Sequence, residues 1–424
     1  MDKIVIRGGR KLKGEVSISG AKNAVLPIMA AALLSDDISR IENVPNLLDV
    51  TTMAKLLRVL GAKVNHEAQT VEIKAGNHLK PIAPYHLVST MRASVCVLGP
   101  LLGRLGRAEV SLPGGCVIGA RPIDLHLKGL EALGADITIE HGYVKAKAQR
   151  SLRGADVYLG GSYGSSVLAT ANVMMAAVLA RGTTYIENAA CEPELVDLAE
   201  FLIKMGAKIK GYGSHLIEIQ GVQKLHGARH AIIPDRIEAG TFMVAGAVMR
   251  GSDVLIRNCN PEHSHALLDK LRQAGVAISK AKNSVRIKRN GLLHPIEVTT
   301  LPYPGFPTDL QAQVMALATL IPGISVITEK IYPDRFIHVS ELNRMGSKVF
   351  LEGSSAIVHG VSHLSGAPVM ASDLRASAAL VLAGLAAEGK TEVNRVYHLD
   401  RGYEKIEEKL SALGASIKRE KDKT

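Results

Sequence analysis

The amino-acid sequence predicts an α/β (α+β) protein of two domains, each made of three repeated units with helices inside and sheets outside. Three observations carry that expectation: a phrase that returns six times at a near-constant interval, an almost wholly apolar helix in each interval, and a charged crossover near the middle of the chain.

The phrase is LLRVLGAKV ending at Val64, LEALGADI at Ile137, LIKMGAKI at Ile209, LRQAGVAI at Ile278, LNRMGSKV at Val349 and LSALGASI at Ile417. Its glycines, Gly61, Gly134, Gly206, Gly275, Gly346 and Gly414, are 73, 72, 69, 71 and 68 residues apart. A period kept this closely marks repeated supersecondary units. Leucines three and four apart make one face of an amphipathic helix. The Gly closes that helix, and the alternation after it begins a strand.

The apolar helices are expected over residues 22–34, 91–102, 166–180, 238–249, 309–320 and 373–386. A helix that is apolar on nearly every side is a buried one. Six units, each with strands, one buried helix and one amphipathic helix, divide into two domains of three. The stretch HAIIPDRIEAG, residues 230–240, has the Pro and the charge of a crossover. The opening strand, up to about residue 20, has the period of the later units. The expected domains are therefore residues 22–232, and residues 1–21 together with 233–424.

Composition narrows the function. A chain of 424 residues with 47% hydrophobic content builds a sizeable core. With no Trp, only five Phe and no dense Lys/Arg block, it lacks the stacking surface of a nucleic-acid binder, and no nucleic-acid partner is expected. A net charge of +11 favours acidic partners such as phosphorylated metabolites, or serves solubility alone. Four cysteines with no CxxC spacing fit a reducing compartment. The start MDKIVIRGGR reads as a strand, not a signal peptide. The longest apolar runs, such as residues 376–387, fall short of the ~20 residues that span a bilayer. A cytoplasmic protein with no membrane partner is expected.

Candidate chemistry gathers in four places. Lys22, Arg92 and Arg375 stand at the starts of buried helices, where a cation opposes the helix dipole unless an anionic ligand is shared with the backbone N–H groups. The loop SLPGGCVIGARP, residues 111–122, holds Cys116 and Arg121; a thiol beside cations is an activated one or a harmless loop cysteine, and spacing does not choose. In YPGFPTDLQAQ, Thr308 and Asp309 open the fifth buried helix, where Thr-Asp is also an ordinary N-cap pair. In YHLDRGYEK, Arg401 precedes an amphipathic helix. The PEHSH stretch has two His without a third ligand, so no metal is expected. No dinucleotide or Walker glycine motif is present.

Taken together, GAKNA at residues 20–24, the Cys116 loop, ENAACEPE, PDRIEAGTF, FPTDLQAQ, SDLRASAALVLAG and HLDRGYEKIE make the chain resemble the UDP-N-acetylglucosamine 1-carboxyvinyltransferase family of enolpyruvyl transferases. The resemblance covers essentially the whole chain. It implies an inside-out α/β barrel in each domain, six βαβαββ-type units in all, and no cofactor. Its implied ligands are phosphoenolpyruvate and UDP-N-acetylglucosamine. It assigns Lys22, Arg121 and Arg401 to the phosphate and carboxylate of phosphoenolpyruvate, with Arg92 assisting. Asn23 and Asp309 fall to the sugar. Pro122, Asp124, Leu125 and His126 fall to the uridine, and Ser166 and Val167 to the diphosphate. Ile331 and Arg335 would contact substrate from the second domain, with Asp373 and Arg375 in support. Cys116 would act on the pyruvyl carbon as proton donor or covalent partner, so that Cys116, Asp309, Lys22 and Arg401 form the catalytic set. Gly164 and Leu168 depart from the family, which often has Lys and Gly there, in a segment some four residues longer; its glycines and serines offer backbone N–H groups for the diphosphate instead. Two rivals stay open at this level: the related shikimate-pathway transferase, and a retired enzyme kept as a binding protein.

Overall fold

The computed structural model describes residues 2–112 and 123–421. Every repeat folds into the same four-stranded sheet, and there are six of these among the described residues. Strand Ile38–Glu42 shows the plan. Arg229–Ala231 pairs with it in parallel, Thr70–Lys74 antiparallel, and Lys63–Glu67 completes the hairpin on the outside. The order parallel, antiparallel, antiparallel recurs in the other five sheets. Alternation explains the orientation: Ile41, Val71 and Ile73 are buried, whereas Arg40 and Glu72 pair across the solvent face at 2.9 Å.

Chain contacts separate two compact units, one of residues 20–112 and 123–233, the other of residues 2–19 and 234–421. Both opening strands lie in the later unit. Asp2–Arg7 sits between Lys390–Asn394 and Ser416–Lys421, and Lys13–Ser17 pairs in parallel with Asp253–Arg257. Arg229–Ala231 returns to complete the first sheet of the other unit. Residues 230–240 are accordingly structured: the helix Arg236–Val248 starts there, capped by Asp235, whose carboxylate accepts from the amides of Ile237 and Glu238 at 2.8 and 3.0 Å.

The buried helices form the interior of each unit. Lys22–Ala31, Arg92–Val97 running on into Leu98–Leu105, and Val167–Ala177 pack together in one; Arg236–Val248, Gln311–Ala318 and Leu374–Ala386 do so in the other. Every residue from Ala169 to Ala177 is buried, the signature of a helix with no solvent face. Two of these helices do not open as α-helices: Arg92–Val97 and Thr308–Leu310 are 3₁₀ turns. None of the helices among the described residues is long and apolar enough to cross a membrane.

The six phrase glycines all take φ between +88° and +102°, so each ends its amphipathic helix in the left-handed region. Gly134, at φ +89°, has open space where a Cβ would go. Gly134→Ala is therefore expected to lose about 1–2 kcal/mol of stability from backbone strain alone. Chemical denaturation reads this directly, and an unchanged midpoint would mean that the cap carries no strain.

Candidate functional site

The later unit concentrates its candidate residues around one carboxylate. The sequence allowed Asp309 to be a helix N-cap. The structure overturns that reading: the residue preceding this turn is Pro307, and no side chain caps it. Asp309 instead accepts from two guanidiniums. Arg335 Nη1 donates to Oδ1 at 2.9 Å, and Arg375 Nε and Nη2 donate to Oδ2 at 3.2 and 2.9 Å. Arg335 and Arg375 are 5% and 2% exposed, while the Asp309 side chain keeps 26% of its surface. Two buried cations thus hold a partly exposed carboxylate in place. Burial is the largest influence and works against both guanidiniums, but Asp309, joined by Asp373 at Arg335 and by Tyr403 and Asp235 at Arg375, outweighs it and raises both above the usual range.

Further residues hold this group in place. Thr308 Oγ1 donates to Glu329 at 2.8 Å and accepts from Arg335 Nη1 at 2.9 Å. Glu329, fully buried, also accepts from the Thr300 hydroxyl and from the amides of Ile331 and Tyr332, so it fixes the backbone at Ile331. Neither Glu329 nor the Thr308 relay was found by sequence reasoning, because an acid after an ordinary strand has no local signature.

Arg375 also corrects the expectation of an anion site at its helix start. Asp373 already caps that helix, accepting from the amides of Arg375 and Ala376 at 2.8 and 3.1 Å, and the Arg375 side chain turns to Asp309. Arg375 Nη1 remains buried without a hydrogen-bond partner among the described residues. Arg401 ends the 3₁₀ turn Val396–Arg401, which packs on the same helix. Arg401 lies near enough to His398 to help burial push that imidazole down.

In the other unit, Lys22 is the first residue of its helix, with Nζ 3.1 Å from the nearly buried carboxylate of Asp49. Asn23 follows it, half-buried. Arg92 opens its 3₁₀ turn. Asp124, exposed, and Leu125 and His126 begin the helix Asp124–Ala132. Ser166 caps Val167–Ala177 by accepting from the Ala169 amide at 3.3 Å. The longer segment before it forms a small hairpin, Gly160–Gly161 with Gly164–Ser165, and a Cβ on Gly161 would lie 3.1 Å from Leu125. The hairpin thus brings the expected diphosphate segment beside the expected uridine segment. Gly164, at φ +91°, has a backbone that a Lys side chain would strain.

Cys116, Arg121 and Pro122 lie outside the described residues. The other three cysteines are free and buried. No cluster of His, Cys, Asp and Glu among the described residues is placed to hold a metal.

Known proteins agree on the family. The family model described as EPSP synthase (3-phosphoshikimate 1-carboxyvinyltransferase) matches residues 6–410. The UDP-N-acetylglucosamine 1-carboxyvinyltransferase of Myxococcus xanthus is 56% identical over 424 residues, covering 99% of this chain and 100% of that one. The protein of the same name from Trichlorobacter lovleyi is 57% identical over 419 residues, covering 99% of each. Among solved structures, the enolpyruvyl transferase NikO from Streptomyces tendae superposes with a TM-score of 0.88 at 26% identity, over 99% of this chain and 98% of that one. The two-unit α/β fold, the repeated sheets and the full-length identity lead to one conclusion: the chain belongs to the enolpyruvyl transferases and, among them, to the UDP-N-acetylglucosamine 1-carboxyvinyltransferase family.

Proposed function

We propose that the protein transfers the enolpyruvyl (1-carboxyvinyl) group of phosphoenolpyruvate to the 3-hydroxyl of UDP-N-acetylglucosamine, releasing phosphate, as the committed step of peptidoglycan synthesis in the cytoplasm. The observation that carries this reading is the partly exposed Asp309 carboxylate, fixed in one orientation by Arg335 and Arg375. A carboxylate held this way accepts from a sugar hydroxyl in one orientation, and orientation is a large part of what a transfer between two bound substrates requires.

The chemistry then distributes over the remaining residues. Phosphoenolpyruvate is a small polyanion, and Lys22, Arg121 and Arg401, helped by Arg92, supply the opposing charge. Asn23 and Asp309 hold the sugar. Pro122, Asp124, Leu125 and His126 receive the uridine, Ser166 and Val167 the diphosphate. Ile331 and Arg335 border the sugar, and Asp373 and Arg375 hold the Asp309 frame. The acceptor oxygen adds to C2 of phosphoenolpyruvate, the hydroxyl proton passes to a base, and the methylene carbon gains a proton from an acid, the role proposed for Cys116. The tetrahedral adduct then loses a proton from the new methyl group and expels phosphate, restoring the double bond. Acid and base assistance of this kind contributes ~10²–10⁴-fold. The steps move protons and a phosphate with no change of oxidation state in the protein, and no cofactor is proposed.

The expected result is phosphate release from phosphoenolpyruvate only when UDP-N-acetylglucosamine is also present. Equal release with shikimate 3-phosphate would move the protein to the shikimate branch. Release with neither acceptor would leave a retired enzyme.

A further inference from the structure

Asn172 is a polar residue in the apolar interior of the unit formed by residues 20–112 and 123–233, fully buried in the helix Val167–Ala177. Its carboxamide meets two other elements that carry candidate residues. The Gly99 amide donates to Oδ1 at 2.8 Å, Nδ2 donates to the Val95 carbonyl at 3.0 Å, and Nδ2 lies 2.9 Å from His126 Nδ1.

The polarity of this set has one solution. A backbone N–H only donates, so Oδ1 faces Gly99; a carbonyl only accepts, so Nδ2 faces Val95. The remaining Nδ2 proton goes to His126 Nδ1, which must accept it. The imidazole is therefore neutral and carries its proton on Nε2. Its surroundings agree, since burial and then Arg92 push His126 down to about 3. His126 Nε2 is buried and has no hydrogen-bond partner among the described residues, so the network leaves one N–H unspent.

The same carboxamide fixes the Arg92 turn. Val95 and Gly99 flank the place where the 3₁₀ turn Arg92–Val97 becomes the helix Leu98–Leu105. The Val95 carbonyl accepts the Leu98 amide there as well as Asn172. A Cβ at Gly99 would fall 2.3 Å from the Asn172 main-chain oxygen and 2.9 Å from its Oδ1, so this approach requires glycine.

We propose that Asn172 is a positioning residue for the sugar-nucleotide site: it sets His126 as an Nε2–H donor to that ligand and holds the Arg92 turn and the start of helix Asp124–Ala132 in one arrangement. The inference rests on the reading of residues 124–126 as part of the uridine site.

Two measurements test it. In the ¹⁵N spectrum of the wild-type protein at pH 7, His126 is expected as the neutral Nε2–H form, and its Nε2 resonance should shift when UDP-N-acetylglucosamine alone is added. An Nδ1–H or imidazolium form, or no shift at saturating ligand, overturns the proposal without any variant. Asn172→Asp keeps the shape but cannot donate. It is expected to protonate His126 Nδ1 and to raise the KM for UDP-N-acetylglucosamine about tenfold, more than kcat falls, as for the loss of one well-placed hydrogen bond. A changed imidazole with an unchanged KM would also overturn it. Wild-type protein that releases no phosphate would instead sink the proposed reaction, and the spectrum would still decide the role of Asn172.

Discussion

Asp309→Ala is expected to lower kcat by at least ~10²-fold. The carboxylate accepts from both Arg335 Nη1 and Arg375 Nη2, and it is the proposed contact for the acceptor hydroxyl. Removing it also leaves two buried guanidiniums facing each other. Taking one partner out of a buried pair costs ~3–5 kcal/mol, and the partial exposure of Asp309 reduces that. Asp309→Asn separates the two effects, because it keeps the shape and one acceptor. It is expected to stay folded at assay temperature and still lose most of its turnover. Melting and kcat measured together on both variants decide the matter. A helix cap would cost ~0.5–2 kcal/mol and spare turnover; a folded Asp309→Asn protein with wild-type kcat would remove Asp309 from the chemistry.

A small phosphonate epoxide shaped like phosphoenolpyruvate, such as fosfomycin, is expected to alkylate Cys116 and no other cysteine. The structure argues this by elimination. Burial pushes the Cys96 thiol up to about 12 despite nearby Arg92, and pushes Cys259 up to about 11. Cys191 is raised by burial and then by Glu192, with its sulfur 3.5 Å from His215 Nδ1. A thiol four or five units above the working pH offers ~10⁻⁴ to 10⁻⁵ of its population as thiolate, and the thiolate is the nucleophile. Cys116→Asp removes the sulfur and keeps a group that carries a proton. Part of the activity should survive with a shifted pH optimum, while inactivation by the epoxide is lost. Cys116→Ser offers no usable acid and should fall much further. Mass spectrometry after treatment gives the answer: label on Cys96, Cys191 or Cys259, or undiminished inactivation of the Asp variant, would remove Cys116 from the mechanism.

Local chemistry was legible in the chain wherever a residue's role depends on its neighbours in sequence. The six glycines of the repeated phrase announced left-handed helix ends, and all six have positive φ. The Ala-rich segments announced buried helices, and these helices pack on one another in each unit. Asn172 was a missed signal of the same kind: one amide among VLATANVMMAA needs buried partners.

By itself, the sequence determined the repeat, the α/β class, the buried helices and, through its motifs, the family. Only the tertiary structure decided which groups Asp309, Arg375 and His126 meet. Asp309 reads as a cap until Arg335 and Arg375 arrive from 26 and 66 residues away. Arg375 reads as an anion ligand until Asp373 is seen to cap its helix. His126 has no tautomer until Asn172, 46 residues on, supplies a donor. The physical reason is the same in each case. Local sequence fixes backbone propensity and burial, but a buried charge or imidazole takes its state from the groups that replace water around it, and those come from elsewhere in the chain.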